Sequence, residues 1–119
     1  MTDFKQLRAT ALARQLVVRT YQATAGFPSA ERFGLTSQMR RAAVSIGANI
    51  AEGAGRNTDR ELAHFLRLAP GSAHELEFQV LAARDLDLLE EKDAADLQGQ
   101  IDQLSRMLQR LIRYLARGG

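Results

Sequence analysis

Apolar residues recur at alternating spacings of three and four in four separate blocks of the chain. This spacing matches the period of an α-helix that buries one face, and no segment alternates with the period of two that strands require. The sequence therefore predicts an all-α protein. The four apolar stripes are Phe4, Leu7, Ala11, Val18 and Tyr21; Met39, Ala43, Ile46, Ile50 and Gly53; Leu62, Leu66, Ala69, Ala73, Leu76, Val80 and Ala83; and Leu97, Ile101, Leu104, Leu108, Leu111 and Leu115.

The segments between the blocks are short and contain residues that end or begin helices. Gly26 and Pro28 mark a loop after the first block. Thr58-Asp59-Arg60-Glu61 fits a capping box at the start of the third helix, and Asp93 can cap the fourth. Long helices joined by short loops predict an antiparallel, up-down-up-down four-helix bundle. We expect residues 1–119 to form a single domain, which is an ordinary length for one.

Pro70 lies inside the third block and could divide it into two helices. A proline within a helix removes one backbone hydrogen bond, here the one to the Leu66 carbonyl. The apolar stripe nevertheless runs from Leu62 to Ala83 without a change of phase. We therefore predict one helix that is kinked at Pro70.

The segment RRAAVSIGANIAEGAGR, residues 40–56, contains glycines that a phosphate-binding loop would also need. It does not fit a Walker A loop, because Gly47 and Gly53 are not followed by the required Lys, and Gly53-Ala54-Gly55 lacks the third glycine of a dinucleotide fingerprint. We interpret Gly53 and Gly55 as the end of the second helix, where a left-handed residue is common. Gly47, within the helix, is interpreted as a point of close contact.

The second helix also carries small and apolar residues outside its main stripe. A helix that is apolar over most of its circumference needs contacts on more than one side. We therefore expect this second apolar face to form an interface between copies of the chain. Its members are Val44, Gly47, Ala48, Ala51 and Ala54.

Polar residues line one narrow face of the second helix and a matching face of the third. If the two helices fold back on each other, opposite charges or hydrogen-bonding groups meet at five of six levels. The predicted pairs of this polar seam are Arg56–Glu61, Glu52–His64, Asn49–Leu68, Ser45–Ser72, Arg41–Glu75 and Gln38–Gln79. Three interpretations remain open: a groove that fixes the register of the hairpin, a recognition groove for a phosphate or protein partner, or a catalytic site using His64 with Glu52 or Glu75.

Positive charge is distributed unevenly. The net charge is only +2, but residues 1–60 carry nine basic and four acidic side chains, and residues 75–102 carry two basic and nine acidic ones. The candidate nucleic-acid-binding residues are Arg40, Arg41 and Arg56 with a stripe at Arg106, Arg110, Arg113 and Arg117. No aromatic residues alternate with these arginines, and Phe27 and Phe33 are expected to plug the core rather than stack on bases.

Composition excludes several classes of site. The chain has no cysteine, which removes disulfides, thiolate metal sites and cysteine nucleophiles. Neither histidine has a second ligand four residues later, so we expect no metal and no cofactor. No apolar run reaches the roughly 18 residues of a membrane span. The first residues, MTDFKQLRATALARQ, lack the apolar core of a signal peptide, so we expect a cytoplasmic protein without a membrane partner.

Two stretches, FPSAERFGLTSQMRRAAVSIGANIAEGAGR and ELAHFLRLAPGSAHELEFQV, resemble a bacterial four-helix-bundle family named for proteins encoded in 23S rRNA intervening sequences. The resemblance covers about residues 27–89, and Pro70 is its one departure. It implies a left-handed bundle that assembles into a ring-like homo-pentamer, without enzymatic activity. Accessory proteins of diversity-generating retroelements, which bind nucleic acid and a reverse transcriptase, have a similar architecture. The matching motif positions are Arg41, Ser45, Asn49, Glu52, Gly53, Arg56, Ser72 and Glu75.

Together these observations favour a non-enzymatic oligomer that binds nucleic acid, in particular structured RNA, through surfaces rich in arginine. A ring would present each basic surface several times and so compensate for the small charge of one subunit. The alternative is a structural or adaptor protein whose ring docks another protein. An enzyme acting on a small molecule would need a deep pocket around Glu52, His64 and Glu75.

Overall fold

The computed structural model describes residues 4–118, with the side chains of residues 8–118. These residues form no β-strand. The helices are α1 (Phe4–Thr24), α2 (Leu35–Ala54), α3 (Asp59–Leu66), α4 (Ala69–Asp85) and α5 (Glu91–Ala116), with a 3₁₀ turn at Ser29–Glu31. Helices α3 and α4 together fill the third position of an up-down-up-down bundle. The predicted all-α four-helix bundle is confirmed.

Each helix packs against its neighbours around one hydrophobic cluster. Helix α2 contacts α1 on one side and α3 and α4 on the other, and α5 closes the bundle against α1, α3 and α4. The predicted stripes of the second, third and fourth blocks are all buried, apart from Leu115, which is partly buried. Three of the four faces that build the core were therefore predicted residue by residue.

The predicted stripe of the first helix is wrong. Val18 is 56% exposed and Tyr21 is also exposed, while the side chains of Phe4 and Leu7 lie outside the described residues. Two threonines face the core instead. Thr20 donates its hydroxyl to the Leu16 carbonyl (2.7 Å), and Thr24 donates to the Thr20 carbonyl (2.8 Å). Because these hydroxyls are satisfied within the helix, they can be buried without an unpaired polar atom. The buried face of α1 consists of Ala9, Ala13, Leu16, Thr20 and Thr24.

The third helix is divided in two, where we predicted one kinked helix. Arg67 and Leu68 separate α3 from α4, and Pro70 lies in the first turn of α4, where its missing N–H would have no partner in any case. Both linking residues keep right-handed helical dihedral angles, with φ and ψ of −72° and −16° at Arg67 and −81° and −28° at Leu68. The chain therefore continues in nearly the same direction, which explains why the apolar stripe does not change phase.

Capping differs at the two predicted sites. Thr58 caps α3 as expected, since its Oγ1 accepts a hydrogen bond from the Glu61 backbone N–H (3.1 Å). The N-cap of α5 is Glu90, three residues before the predicted Asp93. Asp93 instead binds across the bundle to Arg19 of α1.

An ion-pair cluster joins the C-terminal part of α1 to the N-terminal part of α5. The Arg19 guanidinium donates through Nε to Asp96 (2.6 Å) and through NH2 to Asp93 (2.7 Å). The hydrogen bond to Asp96 is the main cause that raises the pKa of Arg19, with partial burial acting in the opposite direction. The cluster places these ends of α1 and α5 at the same end of the bundle.

We had predicted that Gly53 ends α2 in a left-handed conformation, and this prediction is wrong. Gly53 lies inside the helix, and Gly55, which follows the last helical residue, has a φ of −83°. A Cβ atom at Gly53 would lie 3.0 Å from Leu62 Cδ1 and 3.1 Å from both the Leu62 carbonyl oxygen and Phe65 Cβ. Gly53 is thus needed for the close approach of α2 and α3. Gly47 is less restricted, since its Cβ would meet Ala13 Cβ at an ordinary 3.6 Å.

No helix in the described part of the chain is both long and apolar enough to cross a membrane.

We predict that Gly53→Ala lowers the free energy of unfolding by about 1–2 kcal/mol, because overpacking against the α3 backbone outweighs the better helix propensity of alanine. Gly99→Ala, inside α5, is the control: no atom lies within 4 Å of the added Cβ, so stability should rise by up to about 1 kcal/mol. Urea unfolding followed by circular dichroism measures both. A stabilising Gly53→Ala would contradict the close approach.

Candidate nucleic-acid interface

A cleft beside the first turns of α2 combines positive charge with aromatic rings. It has a volume of about 670 Å³ and is contributed by α1, the loop before α2, and α2 itself. We call it the basic aromatic cleft. Its lining residues are Tyr21, Arg32, Phe33, Thr36, Ser37, Arg40, Arg41, Val44 and Ser45.

Two of these residues are held together by direct contacts. The Arg40 guanidinium lies 4.4 Å from the centre of the Tyr21 ring, and its Nε donates to Thr24 Oγ1 (2.9 Å). Arg40 is therefore fixed against α1, with its charge over the face of the tyrosine. Arg41, the next residue, forms no hydrogen bond or ion pair with the described residues and is exposed. It can bind an anion without breaking an existing contact.

Phe33 lies at the edge of the cleft and is 88% exposed. We had expected both loop phenylalanines in the core, but only Phe27 packs against it. The Arg32 guanidinium lies 5.9 Å from the centre of the Phe33 ring. The sequence offered one signal for this exposure, since Phe33 stands between the charged pair Glu31-Arg32 and Gly34 in a loop without apolar periodicity.

Several residues of this cleft were missed by the sequence analysis. Tyr21 was assigned to the core, and Arg32, Thr36 and Ser37 were not named as candidates. The cleft does bring together Arg40 and Arg41, two of the predicted nucleic-acid-binding residues.

A second cleft lies between α2 and α4 and contains half of the predicted polar seam. Its volume is about 500 Å³, and we call it the polar cleft; Gln38, Arg41, Ala42, Ser45, Glu75 and Gln79 line it. At its edge the predicted Ser45–Ser72 pair is confirmed, with 2.9 Å between the two hydroxyl oxygens. Arg41 and Glu75 share the cleft as predicted but form no ion pair. Both can therefore bind a third group.

Gln79 is the most unusual residue of the polar cleft. It is only 5% exposed, and its Oε1 has no hydrogen-bond partner. Burial of an amide oxygen without a partner costs about 1–3 kcal/mol. Rotation about the last side-chain torsion exchanges the oxygen and the amino group, so the amide can present either to the cleft.

The other half of the seam, on α3, does not form as predicted. Arg56, just after the end of α2, pairs with Glu52 of that helix (2.9 Å) rather than with Glu61, and its guanidinium lies 4.7 Å from the centre of the Phe65 ring. Glu61 instead closes the Thr58 cap, and Asn49 donates to the Ser45 carbonyl of its own helix. The break at Arg67 and Leu68 separates the two halves, and the predicted register holds only in α4.

The proposed catalytic group is not assembled. The His64 ring packs edge-on against Phe65, with 5.1 Å between ring centres. Glu52 is paired with Arg56, and Glu75 lies in the polar cleft with residues from the start of α2. Among residues 4–118, no group of three or more His, Cys, Asp or Glu side chains could hold a metal ion.

Arg40 and Arg41 lie at the opposite end of the bundle from the other candidate arginines. Because α2 and α5 run in the same direction, Arg40 and Arg41 near the start of α2 are distant from the stripe at the end of α5. The bundle is 46 Å long. Arg106 binds Asp102, one turn earlier on α5. Arg110, Arg113 and Arg117 are exposed at the same end as Arg56.

A third depression, the apolar groove, runs between α1 and α2. Its volume is about 510 Å³, and its lining is almost entirely apolar: Thr10, Ala13, Arg14, Val17, Val18, Val44, Gly47, Ala48 and Ala51. The outward face of α1 that we had assigned to the core, at Val18, therefore meets the second apolar face of α2. The predicted second face is real, and residues from α1 extend it.

Comparison with known proteins identifies the family. The model of the 23S rRNA-intervening sequence protein family matches residues 5–110, and the chain belongs to this family. A crystal structure from Bacteroides thetaiotaomicron, described as a protein with unknown function from the S23 ribosomal protein family, has the same fold. The two share 18% sequence identity with a TM-score of 0.82, over 92% of this chain and 99% of the other. No curated protein matches. Neither description names an enzymatic reaction.

We predict that Gln79→Met raises the free energy of unfolding by about 1 kcal/mol, because methionine has a similar volume and removes the unpaired amide oxygen. Gln98→Met is the comparison: the Gln98 amide donates to the Glu77 carbonyl (3.1 Å), so its replacement should not stabilise. Thermal unfolding measures both changes. A loss of stability in Gln79→Met would show that the amide has a structural role.

Proposed function

We propose that this member of the 23S rRNA-intervening sequence protein family is a non-enzymatic homo-oligomer that binds RNA through unpaired nucleotides in the basic aromatic cleft. The observation that supports this most directly is the exposed Phe33 ring beside Arg32, Arg40 and Arg41. Structured RNA offers unpaired bases in loops and bulges, where they can stack on aromatic side chains. The RNA would be met in the cytoplasm.

The cleft provides both kinds of contact that binding of a single strand requires. Arg41 and Arg32 can bind backbone phosphates, with the hydroxyls of Thr36 and Ser37 as further donors. Phe33 offers a ring face to a base, and stacking of this kind contributes about 1–3 kcal/mol per base. A local cluster of arginines explains how a chain with a net charge of only +2 would bind a polyanion.

The arginine stripe of α5 has a secondary role in this proposal. It lies at the opposite end from the cleft, and its aromatic neighbour Tyr114 is 41% exposed, against 88% for Phe33. In an oligomer it would contact the phosphates of longer RNA without reading bases.

Self-association follows from the apolar groove and a matching ridge on the opposite side of the bundle. On α4, Phe78 is 72% exposed and Leu81, one turn later, is also exposed. Large exposed apolar side chains in a row are typical of an interface. We propose that the Phe78–Leu81 ridge of one copy enters the apolar groove of the next.

Charge complementarity favours this arrangement. The groove belongs to the half of the chain with a net charge of +5, and Arg14 lies on its lining. The ridge belongs to the segment 75–102, with a net charge of −7. Contacts between two different surfaces produce a closed ring when the rotation between neighbours allows it. A ring of five subunits is the proposed form.

We predict that Phe33→Ala weakens binding of a labelled single-stranded RNA by about tenfold, because it removes one stacking surface. Arg41→Ala should weaken binding and reduce the dependence of log Kd on log salt by about 0.7, as expected when one phosphate contact is lost. Arg110→Ala, which removes the same charge at the other end of the bundle, is the control and should have a small effect. Fluorescence anisotropy from 50 to 200 mM salt measures all three.

Absence of binding at 50 mM salt would overturn the RNA proposal. A large effect of Arg110→Ala with none from Phe33→Ala would move the site to α5. Co-purification of one protein that resists nuclease and moderate salt, without RNA binding, would support the adaptor alternative instead.

For self-association, we predict that Val18→Asp in the groove and Phe78→Asp on the ridge each convert the oligomer to a monomer of 13.2 kDa. The Val18→Asp variant keeps its ridge and the Phe78→Asp variant keeps its groove. Mixing the two should therefore restore one interface only, between that ridge and that groove. The product would be a dimer that cannot grow further. Leu86→Asp, at an exposed apolar site after α4, is the control and should remain oligomeric.

Light scattering measures the mass of each sample. A monomeric wild-type protein at micromolar concentration would overturn self-association. A mixture of Val18→Asp and Phe78→Asp that stays monomeric would show that the groove and ridge do not bind each other.

A further inference from the structure

The two clefts on α2 are parts of one continuous surface, because Arg41 and Ser45 line both of them. A nucleotide held in the basic aromatic cleft is therefore next to the polar cleft. We propose that the polar cleft binds the edge of an unpaired guanine, with Glu75, Arg41 and Gln79 as the reading residues. This inference rests on the proposed RNA binding and names the base that the site selects.

The donors and acceptors of the polar cleft fit guanine better than the other bases. Guanine presents two adjacent donors, its N1–H and N2–H groups, and a carboxylate such as Glu75 can accept both. Adenine and cytosine would place a ring nitrogen acceptor against the carboxylate, and uracil would place carbonyl oxygens beside its single N–H. On the adjoining edge, guanine has the acceptors O6 and N7, which an arginine can bind together.

Arg41 is placed to provide that second contact through one edge of its guanidinium, while the N–H donors of the other edge bind a backbone phosphate. It lines the same cleft as Glu75 but does not pair with it, so neither charge is neutralised by the other. A ligand that joins them needs donors toward Glu75 and acceptors toward Arg41. An unpaired guanine base has both on one flat ring.

Gln79 supplies the independent observation that this cleft is built for a ligand. Its side chain is 95% buried, lines the cleft and leaves Oε1 without a partner. A purely structural position of this kind would be better filled by an apolar residue. The second N2–H of a guanine bound to Glu75 is still free to donate to Oε1, which rotation of the Gln79 amide can turn toward the cleft.

The test compares two labelled RNA decamers of uridine that differ only in one central residue, guanosine or adenosine. Wild-type protein should bind the guanosine RNA about tenfold more tightly, the order expected for one well-formed set of base contacts. Glu75→Gln should remove this preference, so that the guanosine and adenosine RNAs bind with equal affinity. Glu77→Gln, the same change on the α5 side of α4, is the matched control and should keep the preference.

Gln79→Met provides a second test that is insensitive to loss of folding, since we expect this variant to be more stable than the wild type. It should also lose the preference for guanosine. Equal binding of both RNAs by the wild-type protein would overturn the guanine inference and leave RNA binding intact. No binding of either RNA would overturn the proposed function.

Competition by GMP shows whether the site binds a free guanine nucleotide or a guanosine within RNA. If RNA is the ligand, millimolar GMP should compete only weakly. GMP lacks the neighbouring backbone phosphates and the second base that would stack on Phe33. Tight GMP binding that depends on Glu75, without RNA binding, would support the guanine site and overturn the proposed RNA function.

Discussion

The close approach of α2 and α3 at Gly53 is the constraint from which the register of the hairpin follows. With no side chain at this position, Leu62 and Phe65 contact the α2 backbone directly. Any larger residue would push the two helices apart at the point where the chain reverses direction. Further along α2, beyond the break at Arg67 and Leu68, the Ser45–Ser72 hydrogen bond joins α2 to α4. The polar cleft lies at this bond, so the contact at Gly53 and the serine pair hold the two helical segments against α2 on either side of the break.

The sequence predicted the parts of the fold in which burial follows from side-chain polarity. The stripes of α2, α4 and α5 are regular, and their members are buried. Helix α1 was predicted, but its buried face was not, because two threonines bond to their own backbone and become acceptable in the core, while Val18 faces outward. Its outward apolar face makes physical sense only beside Val44 of α2, where the two form the apolar groove. The spacing of apolar residues along either helix alone does not predict such a contact between segments that are distant in sequence.

The candidate site, like the fold, was predicted only in part. Spacing alone predicted that Ser45 meets Ser72 and that Arg41 and Glu75 share a surface. It did not predict that the two charges remain unpaired, because ion-pair formation depends on side-chain torsions and on the distance between helices. The break after Leu66 was not predicted, since we expected one helix kinked at Pro70. This break ends the seam, and Arg56 contacts Glu52 and Phe65 instead of Glu61. The exposure of Phe33 could not be derived from a loop without periodicity.

The arrangement of charge determines whether the proposed oligomer interface and the proposed RNA-binding surface can coexist. The apolar groove and the basic aromatic cleft lie on adjacent parts of α2 and both include Val44. A neighbouring copy seated in the groove would therefore stand beside the cleft and shield one side of it from water. Shielding strengthens the attraction between Arg41 and a phosphate, because the local dielectric constant falls. The acidic segment of that neighbour would at the same time repel RNA from every path except the open side of the cleft. Assembly would thus restrict a weakly charged subunit to one direction of approach, and affinity for RNA would depend on the oligomer even though every contact with the base comes from a single chain.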